Sequence, residues 1–152
     1  MDNPLLQKIF FTKLRLGHEI TITVTGFSMN PTMWEGDRVT VRRAESYSIG
    51  DVLVFLYKGE QLIHRLLKIE NSKYFCKGDN AFRLEDIEIE NIAGKVVLLN
   101  EKPLPPMPDT IITLSYLVNR TFRKHAYNIE KTKQSAVPFR RKYRWKQCFV
   151  TW

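Results

Sequence analysis

Residues 19–26 read "EITITVTG", and their period decides the fold class. Ile20, Ile22 and Val24 alternate with Thr21, Thr23 and Thr25. A period of two puts the apolar set on one face and the threonines on the other, the pattern of a half-buried strand. Working outward, "DRVTVRRA" (37–44) repeats the alternation with Val39 and Val41 on one face. "DVLVFLY" (51–57), "LIHRLLKIE" (62–70), "KYFCKG" (73–78) and "IAGKVVLLN" (92–100) follow. Turn signals at Ile49–Asp51, Lys58–Glu60 and Asn71–Ser72 separate several of them. Short strands joined by tight turns imply a mainly β chain, an antiparallel sandwich or partial barrel, and argue against βαβ units.

The flanks read differently. In residues 4–16, Leu5, Leu6, Ile9, Phe10 and Leu14 fall near one helical face, and Gly17 is a C-terminal stop. This is a short amphipathic helix expected to pack on the body. "EKPLPPMPD" (101–109) carries four of the seven prolines and is an extended connector. After it, Asp109 or Thr110 is a cap for a helix running to about Asn128. Ile111, Leu114, Leu117 and Val118 mark its apolar face. The division is therefore a body over 1–100 and a proline-rich connector plus basic helical tail over 101–152.

Charge follows the same division. Residues 1–100 carry 13 Lys/Arg against 13 Asp/Glu, and residues 101–152 carry 11 against 3, which is the whole net charge of +8. Any anionic partner is therefore an expectation about the tail. Two cysteines, Cys76 and Cys148, are too far apart in sequence for metal-ligand spacing and make no disulfide framework. No apolar run approaches the roughly 18 residues of a membrane span. The N-terminal apolar stretch is broken by Lys8, Lys13 and Arg15 with no cleavage site after it. These features read as a cytoplasmic protein of a reducing compartment.

The stretch that carries chemistry is Gly26–Asp37, "GFSMNPTMWEGD". A serine is a poor nucleophile without a base, and the strand "LIHRLLKI" offers His64. Taken alone, a histidine between Leu62 and Leu66 is more often a core residue, and most Gly-x-Ser turns are inert. The order of segments changes that weighing. A strand, then Ser28-Met29-Asn30-Pro31, "EGD", "IGDVLVF", the His64 strand, another strand, and "KGDN" resemble the serine endopeptidases that include type I signal peptidases and the self-cleaving LexA-type repressors. The resemblance covers roughly residues 18–99.

That resemblance implies a Ser-Met-x-Pro nucleophile at Ser28. It implies a base at His64, where bacterial signal peptidases have lysine and the Ser/His branch has histidine. It also implies an orienting acid in or just after Gly78-Asp79-Asn80. Asp79 is the first candidate for that acid, Asp86 its alternative, and Glu85 a further rival. Phe27, Met29 and Pro31 are the expected substrate-binding neighbours of the nucleophile. The backbone N–H of Ser28 is the natural oxyanion donor, and Gly26 stands where some relatives place a second hydroxyl. Elementary chemistry agrees. A neutral imidazole, whose ordinary pKa is near 6.5, can take the serine proton and return it to the leaving amine, and a carboxylate on its other nitrogen fixes the tautomer. Lys68 is a rival base, but it lies about 13 Å along an extended strand. Lys77 reads as solvated. No metal and no cofactor are called for.

Signal peptidases are normally anchored and carry an extra domain, and LexA-type repressors carry a helix-turn-helix; none of these is legible here. The resemblance is closest to small soluble members of the family, which implies a serine endopeptidase that trims a precursor or leader peptide, in peptide maturation. A second reading is a catalytically weak family member that binds nucleic acid, an anionic membrane or a protein through its tail. There Arg140, Arg141, Lys142 and Arg144 interleave with Phe139, Tyr143 and Trp145. A third makes the tail a docking arm for a partner enzyme or an acidic leader.

Overall fold

The computed structural model describes residues 3–118 and 149–151. Helix α1 (Pro4–Arg15) starts at Asn3, whose side chain accepts from the Leu5 N–H. Strands β1 (Ile20–Thr25), β2 (Arg38–Arg42), β3 (Val52–Tyr57), β4 (Glu60–Glu70), β5 (Lys73–Lys77) and β6 (Glu85–Ile87) follow, then a 3₁₀ turn at Ile89–Asn91. β7 (Ile92–Leu99), β8 (Lys102–Pro103) and β9 (Phe149–Thr151) complete the sheet. Residues 109–118 form a helix, α2. The fold is the mainly β antiparallel one expected, flanked by a helix at each end of the body.

The strand order is β3-β7-β2-β1-β9-β4-β5-β6, with β8 on β7 and a further β3–β4 pairing. Register follows hydrophobicity. Ile22 faces Val39, and Ile20 faces Val41, so the apolar sets of β1 and β2 share one face. β4 is buried on both sides from Gln61 to Leu67, because two cores sit on its opposite faces. Val52, Val54 and Ile63 join the larger core with Ile22, Val24, Val39, Val41, Phe10 and Leu14. Leu53, Phe55, Leu62 and Leu66 join the second with Cys76 and Ile87. Leu67, Leu84 and Ile112 form a third, smaller cluster that seats α2 on the body.

Several elements differ from expectation. Only Phe10 and Leu14 of α1 are buried, while Leu5, Leu6 and Ile9 are exposed. The i, i+4 pair at the C-terminal half meets β1 and β7, and the first turn overhangs. In α2 the buried residue is Ile112, and Ile111, Leu114, Leu117 and Val118 are exposed. The Pro108 carbonyl takes the first helical bonds, from Ile111 and Ile112, in place of a side-chain cap from Asp109 or Thr110. The connector starts with a short strand, β8, that pairs with β7. β9 was not foreseen; its backbone pairs with β1 and at Leu62 with β4. The expected continuation of α2 to Asn128, the cluster Phe139–Trp145 and Cys148 lie outside the described residues.

Phe10→Ala should cost about 3–5 kcal/mol, because a large side chain leaves a filled core. Leu5→Ala should stay within about 0.5 kcal/mol. Urea unfolding of both variants measures the difference, and equal small losses would mean that α1 is not part of the core.

Candidate active site

Ser28 sits in the turn that follows β1. Gly26 has φ 86°, a left-handed conformation that costs a glycine little, and it swings the chain out of the strand. Its N–H meets the Glu35 carboxylate at 3.4 Å. Asn30 N–H donates to the Phe27 carbonyl and Met33 N–H to the Met29 carbonyl. Met29 and Met33, both fully buried in the larger core, hold the turn down from within. Ser28 is itself 4% exposed.

His64 comes from β4, opposite Leu53 of β3, with its ring edge-on to Phe55. Its Nε2 lies 2.9 Å from Ser28 Oγ. Its Nδ1 lies 3.0 Å from Glu85 Oε2. Both His64 and Glu85 are completely buried. A carboxylate can only accept at Nδ1, so the ring proton belongs on that nitrogen and the Nε2 lone pair faces the serine hydroxyl. The second oxygen of Glu85 has no hydrogen-bond partner among the described residues. It lies 4.0 Å from Arg83 Nε, and Arg83 rests on the Tyr57 ring at 5.2 Å.

The acid expected next to His64 is therefore corrected. Asp79 does not reach the histidine. Its two oxygens accept from Arg65 Nε and Nη2, each at 2.8 Å, and the Thr32 hydroxyl donates to it as well. Arg65 follows His64 on β4 and so points to the opposite face. It is almost completely buried, and its third nitrogen, Nη1, donates to the Gly50 carbonyl at 2.9 Å. Asp86 is also excluded. β6 alternates buried, exposed, buried, so Glu85 points inward and Asp86 outward, where it pairs with Lys73.

The loop after β5 presses on the nucleophile. A Cβ at Gly78 would sit 2.5 Å from the Ser28 carbonyl oxygen and 2.9 Å from Ser28 Cβ, so only glycine allows this approach. Asn80 N–H donates to the Ser28 carbonyl at 2.7 Å, and the Asn80 amide reaches the Phe27 carbonyl at 3.3 Å. Lys77, expected in solvent, is buried. Its ammonium donates to the Ser115 carbonyl of α2, and burial lowers its pKa. Lys68, the rival base, pairs with Glu70 on the surface. Cys76 is fully buried, and burial, with the Glu85 charge adding to it, pushes its thiol pKa well up, so it is no competing nucleophile. Of the expected substrate neighbours, Phe27 and Pro31 are exposed, whereas Met29 is core and cannot touch a substrate. Among the described residues no group of His, Cys, Asp or Glu is arranged to hold a metal. Nor is any helix among them long and apolar enough to cross a membrane.

A buried serine–histidine–carboxylate chain beside a glycine turn is the arrangement of a serine hydrolase, and a family model decides between kinds. The model described as Peptidase S24-like matches residues 4–97. The chain belongs to the Peptidase S24-like family. No curated protein matches it. Membership supports a serine-peptidase type of enzyme. The match begins at α1 and ends within β7, so it takes in Ser28, His64, Asp79 and Glu85 and leaves α2 outside.

Of the two aspartates, Asp79 is the structural one. Asp79→Ala should cost about 3–5 kcal/mol, because it leaves the Arg65 guanidinium buried without its counter-charge. Asp86→Ala should change stability by no more than about 1 kcal/mol, as exposed ion pairs do. Guanidinium unfolding of the two variants distinguishes them, and a small loss for Asp79→Ala would mean that the Arg65 pair is not what holds this loop.

Proposed function

We propose that the protein is a serine endopeptidase that cleaves a peptide bond in a precursor or leader peptide, with Ser28 as nucleophile, His64 as general base and Glu85 as the acid that orients it. The observation that carries this reading is the continuous hydrogen-bonded chain from Ser28 Oγ through the imidazole to Glu85, inside a family of peptidase type.

In this mechanism Ser28 Oγ attacks the scissile carbonyl carbon while His64 Nε2 takes the hydroxyl proton. The imidazolium so formed faces Glu85, whose carboxylate stabilises it in a site shielded from water. The same proton passes from Nε2 to the leaving amine as the C–N bond breaks, which leaves an acyl ester on Ser28. Water, deprotonated by His64, then attacks the ester and returns Ser28 to its hydroxyl form. No metal or cofactor is needed for these steps. Phe27 and Pro31, exposed on either side of the nucleophile, are proposed to meet the peptide.

An acylating serine-directed probe, read by intact mass and peptide mapping, tests the assignment. The wild-type protein should label at Ser28, and Ser28→Ala should not label at all. His64→Ala should slow labelling by about 10²–10⁴, the usual worth of a positioned base. Glu85→Gln should slow it, while Asp86→Asn should not. Equal slow labelling of wild type and His64→Ala would sink the catalytic reading.

A further inference from the structure

Next to Ser28 lies a groove of about 320 Å³ that the mechanism above does not use. Its apolar lining comes from Ala81, Phe82, Met107, Ile111, Leu114 and Val118. Three of these, at i, i+3 and i+7 of α2, form one stripe along the helix. α2 spends Ile112 on the body and leaves that stripe roughly half exposed, with Phe82 equally exposed across from it. A concave, mainly apolar lining with a few polar groups at its rim is the form a binding site for an apolar side chain takes.

The groove borders the serine turn through its own rim, Asn80 and Ala81. Asn80, on its rim, holds the Ser28 and Phe27 carbonyls. Ala81 and Ser28 both pack against Gly78, within about 3 Å of where its Cβ would stand. Each charged group of the rim has a partner, Asp79 in Arg65 and Lys77 in the Ser115 carbonyl. Most of the remaining lining is apolar.

Building on the proposed endopeptidase activity, we propose that this groove is the specificity pocket of the enzyme and takes a bulky aliphatic or aromatic side chain of the peptide substrate, close to the scissile bond. The wall that sets the preference is α2, which lies outside the family match. The substrate class is thus peptides with Leu, Ile, Met or Phe at one fixed position beside the cleaved bond.

The test is cleavage-site profiling of the full chain on a proteome-derived peptide library, with Ser28→Ala, Leu114→Trp and Leu114→Met alongside wild type. Wild type should show Ser28-dependent cuts with large apolar residues enriched at one position. Leu114→Trp, which fills the groove from an exposed position, should lower the preference for large over alanine side chains at that position by about tenfold or more, the worth of a filled apolar subsite. Leu114→Met, which keeps the wall apolar and flexible, should retain it. Ser28-dependent cleavage with no apolar preference, or an unchanged profile in Leu114→Trp, overturns the pocket and leaves the peptidase reading standing. A complete lack of Ser28-dependent cleavage, together with no labelling of Ser28 by the acylating probe, overturns both. Faster probe labelling of Ser28 in Leu114→Trp would place a segment of this chain in the groove and overturn the substrate assignment.

Discussion

The ion pair between Arg65 and Asp79 is the constraint on which the site depends. Both side chains are almost out of solvent, where an incompletely paired charge costs several kcal/mol. The pair is tolerated because it is geometrically complete. Two parallel N–H···O bonds join guanidinium to carboxylate, the Gly50 carbonyl accepts from a third donor, and Thr32 adds its hydroxyl. These four residues belong to β4, the loop after β5, the turn before β3 and the turn after β1. One buried charge therefore ties together the strand that carries His64 and the two loops that enclose Ser28. Because His64 and Arg65 are neighbours on β4, a single strand presents the histidine on one face and the clamp on the other.

Packing on the opposite face completes the arrangement. Gly78 lets the loop close to van der Waals distance of Ser28, and Asn80 fixes the Ser28 carbonyl once it is there. Glu85 and His64 are sealed beneath the second core, beside Phe55 and Cys76. In such surroundings a carboxylate–imidazole contact is stronger than in water and has no water to compete with. The rigidity of β4, buried on both faces, keeps the Ser28–His64 distance from depending on loop motion.

Much of this was legible in the sequence, and the failures are physical. Period-two alternation marks β1 and β2, and turn signals bound the segments of four more strands, because each has a core to bury. β6 is hidden because "RLEDIEIE" is dense in charge, and its pairing with β5 buries Ile87 together with a carboxylate, that of Glu85. The same residue explains the misplaced acid. Asp79 stands in the more conspicuous box, but which carboxylate meets a histidine depends on long-range partners, and Arg65 claims Asp79. The parity of a three-residue strand then decides between Glu85 and Asp86, and that parity is invisible until the partner strand is known. Lys77 was read as solvated because nothing local shows that a distant helix carbonyl waits for it. In α2, the residues with the best apolar period are the exposed ones. Ile112 against Leu67 and Leu84, with Tyr116 beside them and Lys77 on the Ser115 carbonyl, sets the rotation of the helix.

That rotation divides the molecule into two kinds of apolar surface. Inside the family match, nearly every large apolar side chain on the strands is buried in the two larger cores, and exposed ones such as Phe27 and Phe82 stand on the loops beside Ser28. Beyond the match, α2 is seated by one buried isoleucine and a lysine–carbonyl bond, and it leaves a stripe of aliphatic residues open. Covering that stripe would remove apolar area from water, which is favourable. In the proposed reading the buried sheet holds the reacting atoms, and α2 contributes one wall of the groove with exposed residues that make none of the hydrogen bonds of the serine–histidine–glutamate chain.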